Sequence, residues 1–189
     1  MRFIFNELPD DPDFQPDDNW TQLKESSDLW VIQLQAIPFM IANVLIVIGL
    51  MFLMDIKFEL SVGWMLVAIL IFLPVHELIH AAFFPENIMS DNVFMGFTLK
   101  GFAPFAAYIG EMKRNVFLKV LLAPLVIITA LGFLYLIIFG QNELIEHIIV
   151  FNALGACADC LGVYLIVRQV PKGAIVRNKM IRTYWRRPS

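Results

Sequence analysis

SVGWMLVAILIFLPVHELIHAAFF, from Ser61 to Phe84, is the stretch of sequence that decides the fold. Its length and apolar character match a bilayer-spanning helix, which needs about 20 apolar residues. It nevertheless carries three ionisable side chains within five residues, His76, Glu77 and His80. Each such side chain costs about 2.5–3.5 kcal/mol inside a spanning helix, so three of them predict a function. The structural alternative is two interior histidines bonded to their neighbours, with Glu77 paired to one of them.

The spacing of HELIH, residues 76–80, predicts a metal site. On a helix His76 and His80 lie one turn apart on the same face, so both imidazoles can bind one metal ion. Glu77 lies about 100° round the helix, where it can act as a general base toward water. This pattern is typical of zinc-dependent peptidases and predicts one Zn²⁺ per chain. Its position in a spanning segment predicts activity within the membrane.

Composition independently indicates an integral membrane protein. Hydrophobic residues make up 59% of the 189-residue chain, and the mean hydropathy is +0.70. Both values lie outside the usual range of soluble domains. Four segments are long enough to cross a bilayer: Ala36–Met54, Ser61–Phe84, Val120–Phe139 and Ile148–Val167. The predicted fold is therefore an all-α bundle of four transmembrane helices.

The connection between the second and third predicted helices, residues 85–115, is the least helix-like apolar stretch. Phe94–Leu99 is rich in aromatic and β-favouring residues, Lys100-Gly101 is a turn signal, and Ala103–Ile109 could form a second strand. This segment is either a membrane-associated β-hairpin or re-entrant segment, or a plain amphipathic segment at the membrane surface. The sequence leaves these alternatives open.

Charge is distributed unevenly along the chain, whose formal net charge is −3. The predicted organisation is an acidic segment (residues 1–35), a four-helix transmembrane domain (36–168) and a basic tail (169–189). All Lys and Arg residues except Lys57 and Lys119 fall on one side of this four-crossing arrangement, which predicts that both termini are cytoplasmic. A basic tail directly after a spanning helix favours contact with anionic lipid over binding of nucleic acid.

Asp159 is the candidate for a third metal ligand, because catalytic zinc takes three protein ligands and a water. It is the sole charge in the fourth predicted helix, where a lone carboxylate is costly unless it is paired or bound to metal. Its alternative role is to hold a histidine ring without touching the metal. Cys157 and Cys160 point away from Asp159 on a helix and are interpreted as packing residues. His147, beside the outer loop, is interpreted as a surface residue.

A stripe of four residues, Asn152, Gly155, Asp159 and Gly162, shares one face of the fourth predicted helix. The glycines permit close approach of a neighbouring helix, which would bring the carboxylate to the second helix. Asn152 either binds substrate, through a carbonyl or amide, or forms a hydrogen bond between helices. Pro74, just before His76, is expected to free a backbone carbonyl and loosen the helix near the metal, and Pro124 could do the same in the third predicted helix.

These residues resemble those of the membrane-embedded, site-2-protease-like zinc peptidases. More closely, the chain resembles a group of small bacterial multi-pass membrane proteins described as putative zincin peptidases, a domain of unknown function. The matching parts lie between residues 60 and 170 and are HELIH, Ala123-Pro124, and Phe151-Asn152 followed by Asp159.

The resemblance implies a role for each matching polar residue. His76, His80 and Asp159 correspond to the zinc ligands. Glu77 corresponds to the general base, and Asn152 to a residue that contacts the substrate. A member of this group is expected in the bacterial plasma membrane.

The leading hypothesis is a zinc-dependent intramembrane endopeptidase that hydrolyses a peptide bond of membrane-protein substrates. The alternatives are a non-catalytic zinc-binding membrane protein that binds or chaperones partner helices, and a metal transporter. Glu77 favours the enzyme, because a binding site alone does not require it, and the scarcity of other ionisable residues in the helices argues against an ion path. The expected partners are a membrane-protein or peptide substrate and the lipid bilayer, with no nucleic acid. The sequence sets no oligomeric state.

Overall fold

The structure is a computed structural model that describes residues 1–99 and 103–188. The helices are α1 (Leu29–Leu53), α2 (Val62–Ala82), α3 (Arg114–Phe139), α4 (Glu143–Gly155) and α5 (Cys157–Gln169). The strands are β1 (Arg2–Phe5), β2 (Thr21–Gln22), β3 (Val93–Thr98), β4 (Ala103–Tyr108), β5 (Met112–Lys113), β6 (Ile175–Lys179) and β7 (Arg182–Arg186). The predicted turn at Lys100-Gly101 lies outside the described residues.

The prediction of an all-α bundle of four helices is wrong, because the described residues form two β-sheets beside five helices. One sheet has the strand order β1-β3-β4 and the other the order β2-β7-β6-β5. Strands β3 and β4 lie where a hairpin was one of the expected alternatives. The strands of the terminal segments were not expected, since their partners are distant in sequence: Arg2 pairs with Phe94, and Thr21 with Trp185.

Among the described helices, α1, α2 and α3 are each long and apolar enough to cross a membrane. Helices α4 and α5 meet at a bend of 41° and make a fourth span only when taken together. The continuous fourth helix predicted over Ile148–Val167 is therefore broken, at Ala156. Gly155, just before the break, is a poor helix former. A Cβ at this position would stand 3.2 Å from the ring of Phe72, so the glycine also lets α2 pack closely against the bend.

Both sheets lie at the end of the bundle where α1 begins and α2 ends. Leu23, just before α1, donates its N–H to Thr183 O in β7 at 2.8 Å. Lys24 N–H reaches the side chain of Gln169, at the end of α5, also at 2.8 Å. The terminal segments thus pack together on this end of the helices. We call the sheet β2-β7-β6-β5, with residues 8–25 that cover it, the cap.

Two arginines of the basic tail form ion pairs and cation–π contacts within the cap. Arg177 forms an ion pair with Asp11 at 2.5 Å and lies 4.3 Å from the ring centre of Phe14. Arg186 pairs with Glu111 at 3.0 Å and lies over Trp20. The charges of these two arginines are therefore balanced by carboxylates of the same chain.

Candidate metal centre

Helices α2 and α5 bring His76, His80 and Asp159 together. The candidate ligand atoms of these three residues all lie within 4.8 Å of one another. Asp159 places Oδ2 3.1 Å from His76 Nε2 and Oδ1 3.4 Å from His80 Nε2. Two zinc bonds of about 2.0–2.1 Å at the tetrahedral angle separate their ligand atoms by about 3.3 Å. The spacing and the donor set, two imidazole nitrogens and one carboxylate, therefore fit a zinc ion.

Hydrogen bonds from neighbouring helices orient both imidazole rings. His76 Nδ1 lies 2.9 Å from Asn152 Oδ1, and His80 Nδ1 lies 2.8 Å from Val120 O. Both partners are acceptors, so each ring donates from Nδ1 and turns Nε2 toward the Asp159 carboxylate. Metal-binding histidines are typically held by such a bond on the ring nitrogen that does not touch the metal.

A proline in α3 explains why the carbonyl of Val120 is free to bond to His80. In an α-helix the N–H of residue 124 would bond to the carbonyl of residue 120, but Pro124 has no N–H. Val120 O is therefore released from the helix ladder and accepts the hydrogen bond of His80. Of the carbonyls that Pro74 and Pro124 were expected to free, the one released by Pro124 lies beside the metal group, which is formed by His76, His80 and Asp159.

Asn152 is fully buried, and both polar atoms of its side chain are engaged within the protein. Its Oδ1 accepts from His76, and its Nδ2 donates to Pro124 O at 3.3 Å and lies 3.4 Å from Thr129 Oγ1. Hydrogen bonds between helices were one of the two roles that the sequence left open for Asn152, and these contacts join α4 to α2 and α3.

The break between α4 and α5 changes the environment of Asp159. The residue lies in the first turn of α5 instead of the middle of a continuous helix. The positive end of a helix dipole favours a negative charge in this turn. Irregular backbone at membrane depth is tolerated where it is buried in protein or lines a cavity. Gly155 was the one signal in the sequence for this break.

Glu77 lies against strand β4. It is 9% exposed, and the backbone N–H of Ala106 in β4 faces its carboxylate. In the three-stranded sheet β4 is an edge strand. Alternate residues of a strand direct their N–H and C=O groups to opposite sides. Ile109 N–H bonds to Asn92 O beside β3, so Ala106 and Tyr108 direct both groups, and Pro104 its C=O, away from β3 and toward α2.

A cavity of about 770 Å³ joins the metal group to the cap. Its walls come from α1, α2, α5, strand β4 and the hairpin β6–β7. The lining includes Leu34, Ile37, Met40, His76, Glu77, His80, Ala106, Asp159, Asn178 and Thr183. Because α1 and α2 both contribute, the cavity lies between two helices of membrane-spanning length.

The remaining candidates of the sequence stand apart from this group. Neither Cys157 nor Cys160 belongs to it, and the latter thiol contacts the side chain of Asn43. The interpretation of His147 as a surface residue is wrong: it is 0% exposed and lies in α4. It is buried because its ring packs against Phe58, 5.0 Å away between ring centres.

The fold and site define a class, a mixed α/β protein with helices long and apolar enough to span a membrane and a group of two histidines and an aspartate that could hold a metal ion. The chain belongs to a family described as putative zincin peptidase, whose model matches residues 69–175, more than half of its length. No curated protein and no solved structure matches the chain. The family implies zinc, and His76, His80 and Asp159 form a group that could hold it.

Proposed function

We propose that the protein is a zinc-dependent endopeptidase that hydrolyses a peptide bond of membrane-protein substrates within the bilayer. The observation that carries this proposal is the convergence of His76 Nε2, His80 Nε2 and the Asp159 carboxylate beside Glu77. The two histidines and Asp159 would hold one zinc ion. Zinc in such a site supplies Lewis acidity for the peptide carbonyl and makes a water more acidic.

In this proposal Glu77 is the general base. It takes a proton from the attacking water while the water oxygen bonds to the carbonyl carbon of the substrate. It then delivers the proton to the nitrogen of the leaving amine as the C–N bond breaks. The Ala106 N–H orients the carboxylate for this transfer. A protein that only binds or transports zinc would have no use for a carboxylate in this position.

We propose that the substrate binds as an extended strand along β4. A helix shields its peptide bonds, so the substrate must be locally unwound. The outward C=O groups of Pro104, Ala106 and Tyr108, with the outward N–H of Tyr108, offer such a segment main-chain hydrogen bonds, the mode known as β-augmentation. Since Ala106 contacts Glu77, a paired substrate would pass beside the base. Asn152, in turn, is assigned to positioning His76 rather than to binding substrate.

The substitution Glu77→Gln tests the proposal, because it keeps the volume and the three candidate ligands and removes the base. We expect the variant to retain its zinc and to lose about 10²–10⁴-fold or more in cleavage. Full-length membrane substrates should then accumulate in the membrane proteome relative to the wild-type strain. The control is Glu59→Gln, the same change at an exposed residue, which should behave like the wild type.

The alternative functions predict a different result for the same strains. A chaperone or a transporter carrying Glu77→Gln should keep its phenotype and fail only when metal ligands are removed. If the Glu77→Gln and wild-type strains are indistinguishable while a deletion strain has a clear phenotype, the peptidase proposal is lost.

We also propose that the protein lies in a bacterial plasma membrane with both termini and the cap in the cytoplasm. The support is the distribution of Lys and Arg and the packing of both terminal segments at one end of the helices. Single cysteines at Asp10 and Arg187 should resist an impermeant thiol reagent in intact cells, whereas one at Gln141 should react. Labelling at the first two positions from outside would reverse the orientation.

A further inference from the structure

The inner face of the hairpin β6–β7 extends the wall of the metal cavity to the cap. Val176 lies opposite Trp185, and Asn178 opposite Thr183, so strand alternation places all four side chains on one face. Val176 is fully buried, and Trp185 packs on the same apolar cluster, so this face points inward. Asn178 and Thr183 are its polar members, and both line the cavity that contains the metal group.

Asn178 places a hydrogen-bond acceptor without a donor in this wall of the cavity. Its Oδ1 is buried and has no hydrogen-bond partner among the described residues. Thr183, opposite it, is satisfied, because its N–H and Oγ1 both bond to Glu25. A buried acceptor without a donor costs about 1–3 kcal/mol. The other buried side-chain atoms without a partner in the described chain are arginine Nε atoms that do not line this cavity.

Strand β4 links this acceptor to the metal group. Ala106 contacts Glu77, while Tyr108 belongs to the apolar cluster beneath the cap that also contains Met112 and Val176. The strand rises about 3.3 Å per residue, so these two positions of β4 lie about 7 Å apart. A substrate paired along β4 would therefore run from Glu77 toward the cap and offer its backbone N–H groups to the cap wall.

We propose that Asn178 Oδ1 accepts a hydrogen bond from a backbone N–H of the substrate on the cap side of the scissile bond. Asn178 is thus a positioning residue, which sets the register of the substrate strand relative to Glu77. The partner is defined by its chemistry, an unwound peptide segment that leaves the membrane at the cap. This inference rests on the proposed function.

The test combines the substitution Asn178→Leu with single-span model peptides in which one backbone N–H at a time is replaced by N–CH₃. Binding is measured on the full-length, zinc-loaded Glu77→Gln protein in lipid nanodiscs, and the wild-type protein locates the cut in the unmodified peptide. At one position on the cap side, N-methylation should weaken binding about tenfold, the effect of one lost hydrogen bond. The same methyl group should have no effect on the Asn178→Leu protein, since the bond is already missing.

Asn178→Ala repeats the test without added side-chain bulk, and thermal unfolding checks that each variant is folded. The matched control is Asn19→Leu, at an exposed asparagine of the cap, which should keep the N-methylation profile of the parent. Loss of the coupling at every cap-side position, or absence of binding by every peptide, overturns the inference. A clear coupling in peptides that the wild type does not cleave would keep the role of Asn178 and refute the endopeptidase proposal instead.

Discussion

All three histidines of the chain are buried, yet their hydrogen bonds divide them into two kinds. His147 uses both ring nitrogens within the fold: Nδ1 donates to Glu143 O at 2.6 Å, and Nε2 accepts from Ser61 N–H at 3.0 Å. His76 and His80 also use Nδ1 within the fold, but their Nε2 atoms both face the carboxylate of Asp159. The ring of His147 is thus bonded to backbone groups alone, whereas the other two rings converge on a carboxylate with which they could share a metal ion.

The difference teaches that burial alone does not mark a metal ligand; the groups that the second ring nitrogen faces do. His147 has a structural task at the opposite end of α2, where Ser61 precedes the helix and makes no side-chain capping bond. By accepting the Ser61 N–H, His147 ties α4 to the start of the helix that carries the metal group at its other end. The predictions below test whether these two kinds of buried side chain behave differently.

The largest effect is expected from removing the candidate ligands. Each of His76→Ala, His80→Ala and Asp159→Ala should lower zinc affinity by more than about 100-fold, since loss of an outer hydrogen-bond partner alone costs 10–100-fold. His147→Ala should keep one zinc per chain and instead lose about 1–3 kcal/mol of stability, because it leaves buried polar groups unpaired. Elemental analysis and thermal unfolding of the purified variants measure both. Full zinc content in Asp159→Ala, or loss of zinc in a folded His147→Ala, would contradict the division into metal-binding and structural side chains.

The next effect concerns Asn152, which holds the ring of His76. We expect Asn152→Leu to weaken zinc binding about 10–100-fold, as loss of an outer partner commonly does. The matched control is Asn43→Leu, since Asn43 bonds to Ala153 O and Cys160 but to no histidine. Competition with a fluorescent zinc chelator measures both affinities. An unchanged affinity in Asn152→Leu would show that the ring needs no orienting bond.

The metal group could be predicted from the sequence because its signals are local or isolated. His76 and His80 are one helical turn apart, and Asp159 is the single charge of its segment, so few other residues could join them. The cap and the burial of His147 could not be predicted, because both depend on partners distant in sequence. Thr21 pairs with Trp185, and the packing of Phe58 on His147 arises only when the helices meet.

A smaller effect is expected from Pro124→Ala. The substitution restores an N–H at residue 124, which competes with His80 for Val120 O. Helix α3 should become more regular, while His80 loses part of its orienting bond, and zinc affinity should fall by a few-fold to about tenfold. Pro38→Ala, the same change inside α1, should leave zinc affinity unchanged. Equal affinity in Pro124→Ala and the wild type would mean that the helix ladder does not compete for this carbonyl.

The smallest effect is expected at Glu25, a buried carboxylate whose bonds, like those of His147, are made within the fold. Glu25, in the cap, resembles His147, because both of its oxygens accept from Thr183. Burial raises the pKa of Glu25 from 4.5 to about 7, against the lowering effects of the Thr183 bonds and nearby Arg182. Between these two pKa values the folded state binds more protons than the unfolded state, so the free energy of unfolding should fall as the pH rises from about 5 to 7. At 1.36 kcal/mol per unit of pKa shift this contribution is on the order of 3 kcal/mol.

Glu25→Gln keeps an acceptor for Thr183 but cannot ionise, so it should remove this part of the pH dependence and become more stable than the wild type near pH 8. Unfolding followed by tryptophan fluorescence at pH 5.5 and pH 8 measures the difference between the two proteins. Glu7→Gln, at an exposed position, should match the wild type at both values.

Zinc content should stay at one per chain in Glu25→Gln, because a side chain whose bonds are all made inside the fold contributes to stability and not to metal binding. A loss of zinc in this variant would mean that the cap and the metal group are coupled through Thr183 and the cavity wall, and that the two kinds of buried polar group are not independent.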